Sequence, residues 1–164
     1  MIPTIKRILY ATDLSDNARY AFNYAADLAS RYDAQITILS VLEQMSPFAE
    51  IQIQEMMGLK KWEELKQQHS ESSREKAKSR VQDFCDEMHS DDDSCTFIVD
   101  DIRVPTGVPH REILKTAKEI NADMIVMGTH GYNILQDSLI GGTARRIVKK
   151  SKIPVMVIRL PEVG

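Results

Sequence analysis

Cysteine is scarce in this chain: Cys85 and Cys95 are the only two among 164 residues, and they lack the paired spacing of a zinc site. A disulfide-stapled miniprotein is therefore excluded, and two idle thiols fit a reducing compartment. No apolar run approaches the roughly 20 residues that span a bilayer, and the first ten residues lack the ordered regions of a signal peptide. The expectation is a soluble, cytoplasmic protein with no membrane partner. Neither a GK[ST] phosphate loop nor a G-x-G-x-x-G dinucleotide fingerprint occurs. No excess of one charge sign is present either, with 24 acids against 21 bases. That balance argues against a general polyanion binder, so no nucleic-acid partner is expected.

What is present is an ordinary globular composition, 43% hydrophobic and 27% charged, in a length that suits one domain spanning residues 1–164. The charge is unevenly placed. Residues 83–101 hold eight acids and no Lys or Arg, whereas residues 140–164 hold six bases against Glu162.

Strand and helix patterns alternate along the chain. Residues 5–11 (IKRILYA) read as a first strand, followed by a polar cluster with Ser15 as a helix N-cap. Ala18, Ala21, Phe22, Ala25, Leu28, Ala29 and Tyr32 then recur at spacings of three and four, the stripe of a one-sided helix. Residues 35–41 form a second strand after a turn at Asp33 and Ala34. Between 43 and 59, Pro47 and Gly58 act as breakers, and the expectation is an irregular loop or frayed helix. Residues 60–88 read as a helix whose polar middle, 66–76, projects into solvent. A third strand covers 95–104, a helix starts at Pro109, and 123–127 (DMIVM) is a strand apolar on both faces. A short helix over 143–151 and a last strand over 155–159 complete the pattern. Alternation of this kind gives right-handed crossovers and a doubly wound, Rossmann-like parallel α/β sheet with helices on both faces. Ligands of such sheets bind beyond the carboxyl ends of the strands, where the strand order reverses.

Four of the seven glycines fall between 128 and 142, just after the fourth strand and at the start of the last helix. Glycine lets backbone N–H groups approach an anion, and a helix N-terminus adds partial positive charge. Tight turns alone would use the same glycines, so both uses stand at this level.

Gly128-x-x-Gly131, nine residues, then Gly141, a helix and a Pro-Val-hydrophobic strand resemble the nucleotide-binding signature of the universal stress protein family. The opening 8–15 (ILYATDLS), Gly107-x-Pro109 and 122–128 (ADMIVMG) agree with that family in order and spacing, and the match lapses over an excursion at about 43–94. The resemblance implies a five-stranded sheet of order 3-2-1-4-5 that binds ATP, with Mg2+. It implies that Asp13 and Val41 face the adenine and ribose, with Ala11 and Thr12 lining the pocket. Met127, Gly128, His130 and Gly131 would border the ribose and phosphates, and Gly141, Gly142 and Thr143 would hold the phosphates. Where the family usually has Ser or Thr after the third glycine, this chain has Gly142, with Thr143 one place later.

Two uses are open for Asp13, ligand contact or capping of the first helix, and likewise for His130, phosphate contact or an exposed turn. Of Arg145, Arg146, Lys149 and Lys150, which otherwise form a solvated helix face, the expectation is that only Arg145 reaches the phosphates. No nucleophile, base and orienting group can be assembled, so at most slow ATP hydrolysis is expected. The reading is a stress sensor or regulator with an unidentified protein partner, homodimeric through the apolar edge strand Val155–Ile158. The alternative is a nucleotide-free dimeric interaction scaffold of the same fold.

Overall fold

The computed structural model describes residues 1–89, 99–129 and 140–159. At its centre is strand β1 (Arg7–Ala11), flanked by β2 (Gln35–Leu39) and β6 (Met124–Gly128), with β4 (Val99–Arg103) and β7 (Val155–Ile158) outside them. The order β4-β2-β1-β6-β7 is wholly parallel. Counting only these five strands, that is the expected 3-2-1-4-5.

Alternation along β1 divides the core into two layers, because successive side chains of a strand point to opposite faces. Ile8 and Tyr10 pack with helix α1 (Asp16–Tyr32), whereas Leu9 and Ala11 pack with α4 (Pro109–Glu119) and α5 (Gly142–Lys150). On α1 the buried stripe is Ala18, Ala21, Phe22, Ala25 and Ala29. Alanine at four of these five positions lets the helix lie close to the sheet, and Phe22 is the one large side chain of the stripe, with Leu28 half-buried against the same core. Its ring meets Tyr10 edge-on, 5.2 Å between centroids and 65° between planes.

The ends of α1 are specified locally. Ser15 Oγ accepts from the Ala18 N–H at 3.3 Å, and Asp33 closes the helix in the left-handed region at φ 50°. Ser15→Ala will cost about 1 kcal/mol of stability, read as a lower urea midpoint at unchanged slope. At the opposite end of the sheet, Asp123 Oδ2 accepts from the backbone N–H groups of Lys6 and Arg7 at 2.8 and 2.9 Å. This carboxylate ties the start of β1 to the start of β6.

The excursion differs from its expectation as a loop or frayed helix. It contains α2 (Pro47–Met57), whose N-cap Ser46 accepts from Ala49 N–H and whose first turn holds Pro47. Pro47 and Gly58 do not interrupt a helix; they bound one, since the first turn needs no proline N–H and Gly58 leaves at φ 86°. The long helix α3 (Leu59–His89) packs on α2 near the buried Trp62, with Lys66 and Glu50 paired at 2.6 Å. Its second half returns to the sheet, where Val81 is fully buried and Arg74 Nε donates to the Val104 carbonyl. Between 66 and 76 most side chains are exposed, as the polar middle requires.

A second, two-stranded parallel sheet has no counterpart in the sequence reading. It joins β3 (Leu42–Glu43) to β5 (Thr106–Gly107) beyond the carboxyl ends of β2 and β4. The third strand, expected over 95–104, is seen as β4; residues 95–98 lie outside the described residues.

Candidate functional site

From β1 the chain winds through β2 to β4 on one side, then crosses to β6 and β7 on the other. The carboxyl ends of β1 and β6 therefore diverge into a crevice, the place where doubly wound sheets take ligands. Three backbone features line it.

The first is the turn from β1 into α1. Thr12 N–H still donates to the Leu39 carbonyl at 2.9 Å, extending the ladder by one residue. Leu14 then takes φ 62°, a left-handed conformation costing a branched side chain about 1–3 kcal/mol. That kink lets Thr12 Oγ1 accept from Leu14 N–H and Asp13 Oδ1 accept from Ser15 N–H, both at 3.0 Å. Asp13 is thus not the N-cap of α1, which is Ser15. Its other oxygen, Oδ2, is buried and has no hydrogen-bond partner among the described residues. A buried carboxylate oxygen without a donor is costly, about 1–3 kcal/mol or more, and the described residues supply none here. Beneath it, the Tyr10 hydroxyl donates to the Ala18 carbonyl at 2.5 Å. Burial holds that phenol well above its ordinary pKa, with the Asp13 charge adding and the Thr12 hydroxyl opposing.

The second feature is the wall made by the small sheet. Ser40 N–H donates to Arg103 O at 3.0 Å and Leu42 N–H to Pro105 O at 2.8 Å, so both face the β4 side. Backbone direction alternates along an extended chain, and the half-buried Val41 between them therefore turns its N–H and carbonyl over the end of β1. Ser40, Pro105 and Thr106, which help create this wall, are not marked by the sequence, and Gly107 is marked only as part of a helix entrance. Two-residue strands show no periodicity, and only Gly107, closely covered by the Glu112 side chain, marks the tight approach.

The third is the junction of β6 with α5. Thr129 N–H donates to the Ile158 carbonyl at 2.9 Å, and its own carbonyl accepts from Gly141 N–H at 2.7 Å. Those bonds bring Gly141 back beside Gly128 and Met127. Gly141 is the N-cap of α5 and contributes no side-chain cap bond; Arg145 N–H to Gly141 O, 3.0 Å, is the first helical bond. Among the described residues no partner outside the helix takes the first-turn N–H groups of Gly142 and Thr143, which lie at the crevice end of α5.

Ala11, Thr12, Asp13, Val41, Met127, Gly128, Gly141, Gly142 and Thr143 are thus gathered at one end of the sheet by β1, β6, the wall and α5. His130 and Gly131 lie outside the described residues. Among the described residues no cluster of three or more His, Cys, Asp or Glu could hold a metal, and no helix is long and apolar enough to cross a membrane. Arg145 folds back toward the Ile140 carbonyl at 3.5 Å, whereas the Arg146 guanidinium lies 3.9 Å from where a Gly142 Cβ would stand.

Comparison with known proteins agrees with this geometry. Universal stress protein MJ0577 of Methanocaldococcus jannaschii is 30% identical over 162 residues, 94% of each chain. Its solved structure superposes with a TM-score of 0.74 at 28% identity, covering 99% of this chain and 100% of that one. The same fold recurs in a universal stress protein solved with cAMP, 18% identical with a TM-score of 0.58 over 97% of this chain and 100% of that one. It recurs again in an Archaeoglobus fulgidus universal stress protein solved with dAMP, 17% identical with a TM-score of 0.58 over 95% and 99%. The family model for universal stress proteins matches residues 4–159, and the chain belongs to the universal stress protein family.

Proposed function

We propose that the chain binds ATP in the crevice between β1 and β6 and works in the cytoplasm as a nucleotide-dependent stress sensor or regulator, with at most slow hydrolysis. The observation that carries the reading is Asp13 Oδ2, a buried acceptor lacking a donor at the mouth of β1. Ribose hydroxyls and the adenine amino group are donors of the required kind. Val41 supports the base end, because its outward-facing N–H and carbonyl match the donor and acceptor on one edge of adenine. The uncapped first turn of α5 supports the phosphate end. Adenine nucleotides are also the ligands in the two fold neighbours solved with cAMP and dAMP.

The residues present fit an ATP whose Mg2+ is held chiefly by phosphate oxygens and water, as is usual for this ion. Bound there, Mg2+ would neutralise phosphate charge, while Gly141, Gly142 and Thr143 offer backbone N–H groups and Asp13 fixes the nucleoside. His130 and Gly131 complete the proposed site. Gly142, with no hydroxyl at the first turn, favours the second reading, a nucleotide-free interaction scaffold. Denaturing the purified protein and analysing the released small molecules by mass spectrometry separates the two. About one adenine nucleotide per chain is expected; none, together with no calorimetric heat from ATP and Mg2+, contradicts the reading.

The same proposal includes a homodimer. β7 is an outer strand whose Val155, Met156 and Val157 are only half-buried, and an apolar outer strand is a template for pairing with a second copy. Sedimentation at micromolar concentration should return twice the monomer mass, and Val157→Lys should return the monomer. A wild-type monomer contradicts the dimer.

A further inference from the structure

Other arginines meet carboxylates or backbone carbonyls: Arg31 bonds Asp27 at 2.8 Å, Arg103 bonds Asp101 at 2.9 Å and Glu119 at 3.2 Å, and Arg7, Arg74 and Arg145 bond the carbonyls of Asn121, Val104 and Ile140. Arg146 does not. It has no hydrogen bond or ion pair among the described residues, yet it is not directed away from the protein. The nearest side-chain atom to the space above Gly142 is its Nη1, 3.9 Å from an ideal Cβ there. Further cations lie near it. His110 at the start of α4 is held below the usual imidazole pKa by partial burial first, then by Lys150, Arg146 and Arg111. Lys150, Arg146 and Arg111 thus lie close enough to act on His110 from α4 and α5. Neighbouring cations of this kind attract an anion, and the first turn of α5, where Gly142 lies, is beside the Arg146 guanidinium.

We propose that Arg146 is the residue that discriminates nucleoside polyphosphates from monophosphates in this site, its guanidinium reaching over the bare Gly142 to the outermost phosphates. Here the inference rests on the nucleotide reading given above and names the part of the ligand that selects it. Gly142 leaves the path open where a larger side chain would stand, and a planar guanidinium pairs two phosphate oxygens at once. The nucleoside end, held by Asp13 and Val41, is independent of Arg146, so the residue should matter for ATP and not for AMP.

Calorimetric titration of the wild type and Arg146→Gln with ATP and with AMP tests the assignment. Loss of a charge-assisted pair corresponds to about a tenfold or greater drop in ATP affinity, with AMP affinity changed by less than about twofold. Arg146→Lys should recover part of the ATP affinity, a point charge replacing a fork. An unchanged ratio of ATP to AMP affinity in Arg146→Gln overturns the assignment while leaving the nucleotide reading intact. A wild type that binds neither nucleotide overturns the nucleotide reading itself. Because Arg146 is exposed, Arg146→Gln should melt with the wild type; equal loss of both ligands would mark a structural role and also overturn the assignment.

Discussion

Phe22→Ala is expected to remove about 3–5 kcal/mol of stability, the largest single effect in this chain. Phe22 is fully buried and is the one large side chain of the fully buried stripe of α1, with Leu28 half-buried against the same core. Neighbouring alanines cannot extend into the vacated space, and the backbone of α1 already lies close to the sheet, so the cavity persists. A loss of that size consumes a large share of the 5–15 kcal/mol typical of a domain, and the melting temperature should fall by about 10 °C or more. The damage should also reach the crevice. The Phe22 ring supports Tyr10, and the Tyr10 hydroxyl bonds the first turn of α1, directly beside the Thr12–Ser15 turn. A thermal shift below about 2 °C would mean that α1 does not pack on β1 as described.

Asp13→Asn should affect binding and stability in opposite directions. The amide can keep the bond from Ser15 N–H through its oxygen, which preserves the turn, but it then presents an NH2 group where Oδ2 stood. A ligand hydroxyl or amino group would meet a donor instead of an acceptor. Affinity for ATP should fall about 10- to 100-fold, as for loss of a hydrogen bond to a charged group. Without ligand, the variant should be as stable as the wild type or more so, because a buried carboxylate oxygen lacking a donor is removed. Chemical denaturation of the nucleotide-free proteins and calorimetry of ATP binding read the two effects separately. Affinity equal to the wild type, or a parallel loss of stability and binding, would show that Oδ2 is not a ligand contact.

Legibility from sequence followed how strongly each feature is patterned. The stripe of α1 carries a period, the apolar runs of β1 and β6 are continuous, and both patterns place their elements to within a few residues. Helix α2 is not placed in this way, because Pro47 and Gly58 read as interruptions when they are its first-turn proline and its terminator. The β3–β5 sheet is too short for any period and exists through hydrogen bonds from Leu42 to Pro105 and Gln44 to Gly107. Within the site, the sequence marked Asp13 but left ligand contact and helix capping open. Only the structure separates its two oxygens, one engaged by Ser15 and one unpartnered. For the cations, counting from the helix start favours Arg145, and the structure adds where each side chain lies. Arg145 comes first, yet it folds back on Ile140, while Arg146 lies four residues after Gly142 and so stands above it on the same face.

An amide-resolved NMR titration with ATP and Mg2+ tests at once whether the nucleotide binds and where. Saturable shifts are expected at Thr12, Asp13, Val41, Gly128 and Gly141–Thr143, with the amides of α2 unmoved. No shifts, or shifts gathered on α2 and the exposed middle of α3, would contradict the proposed site.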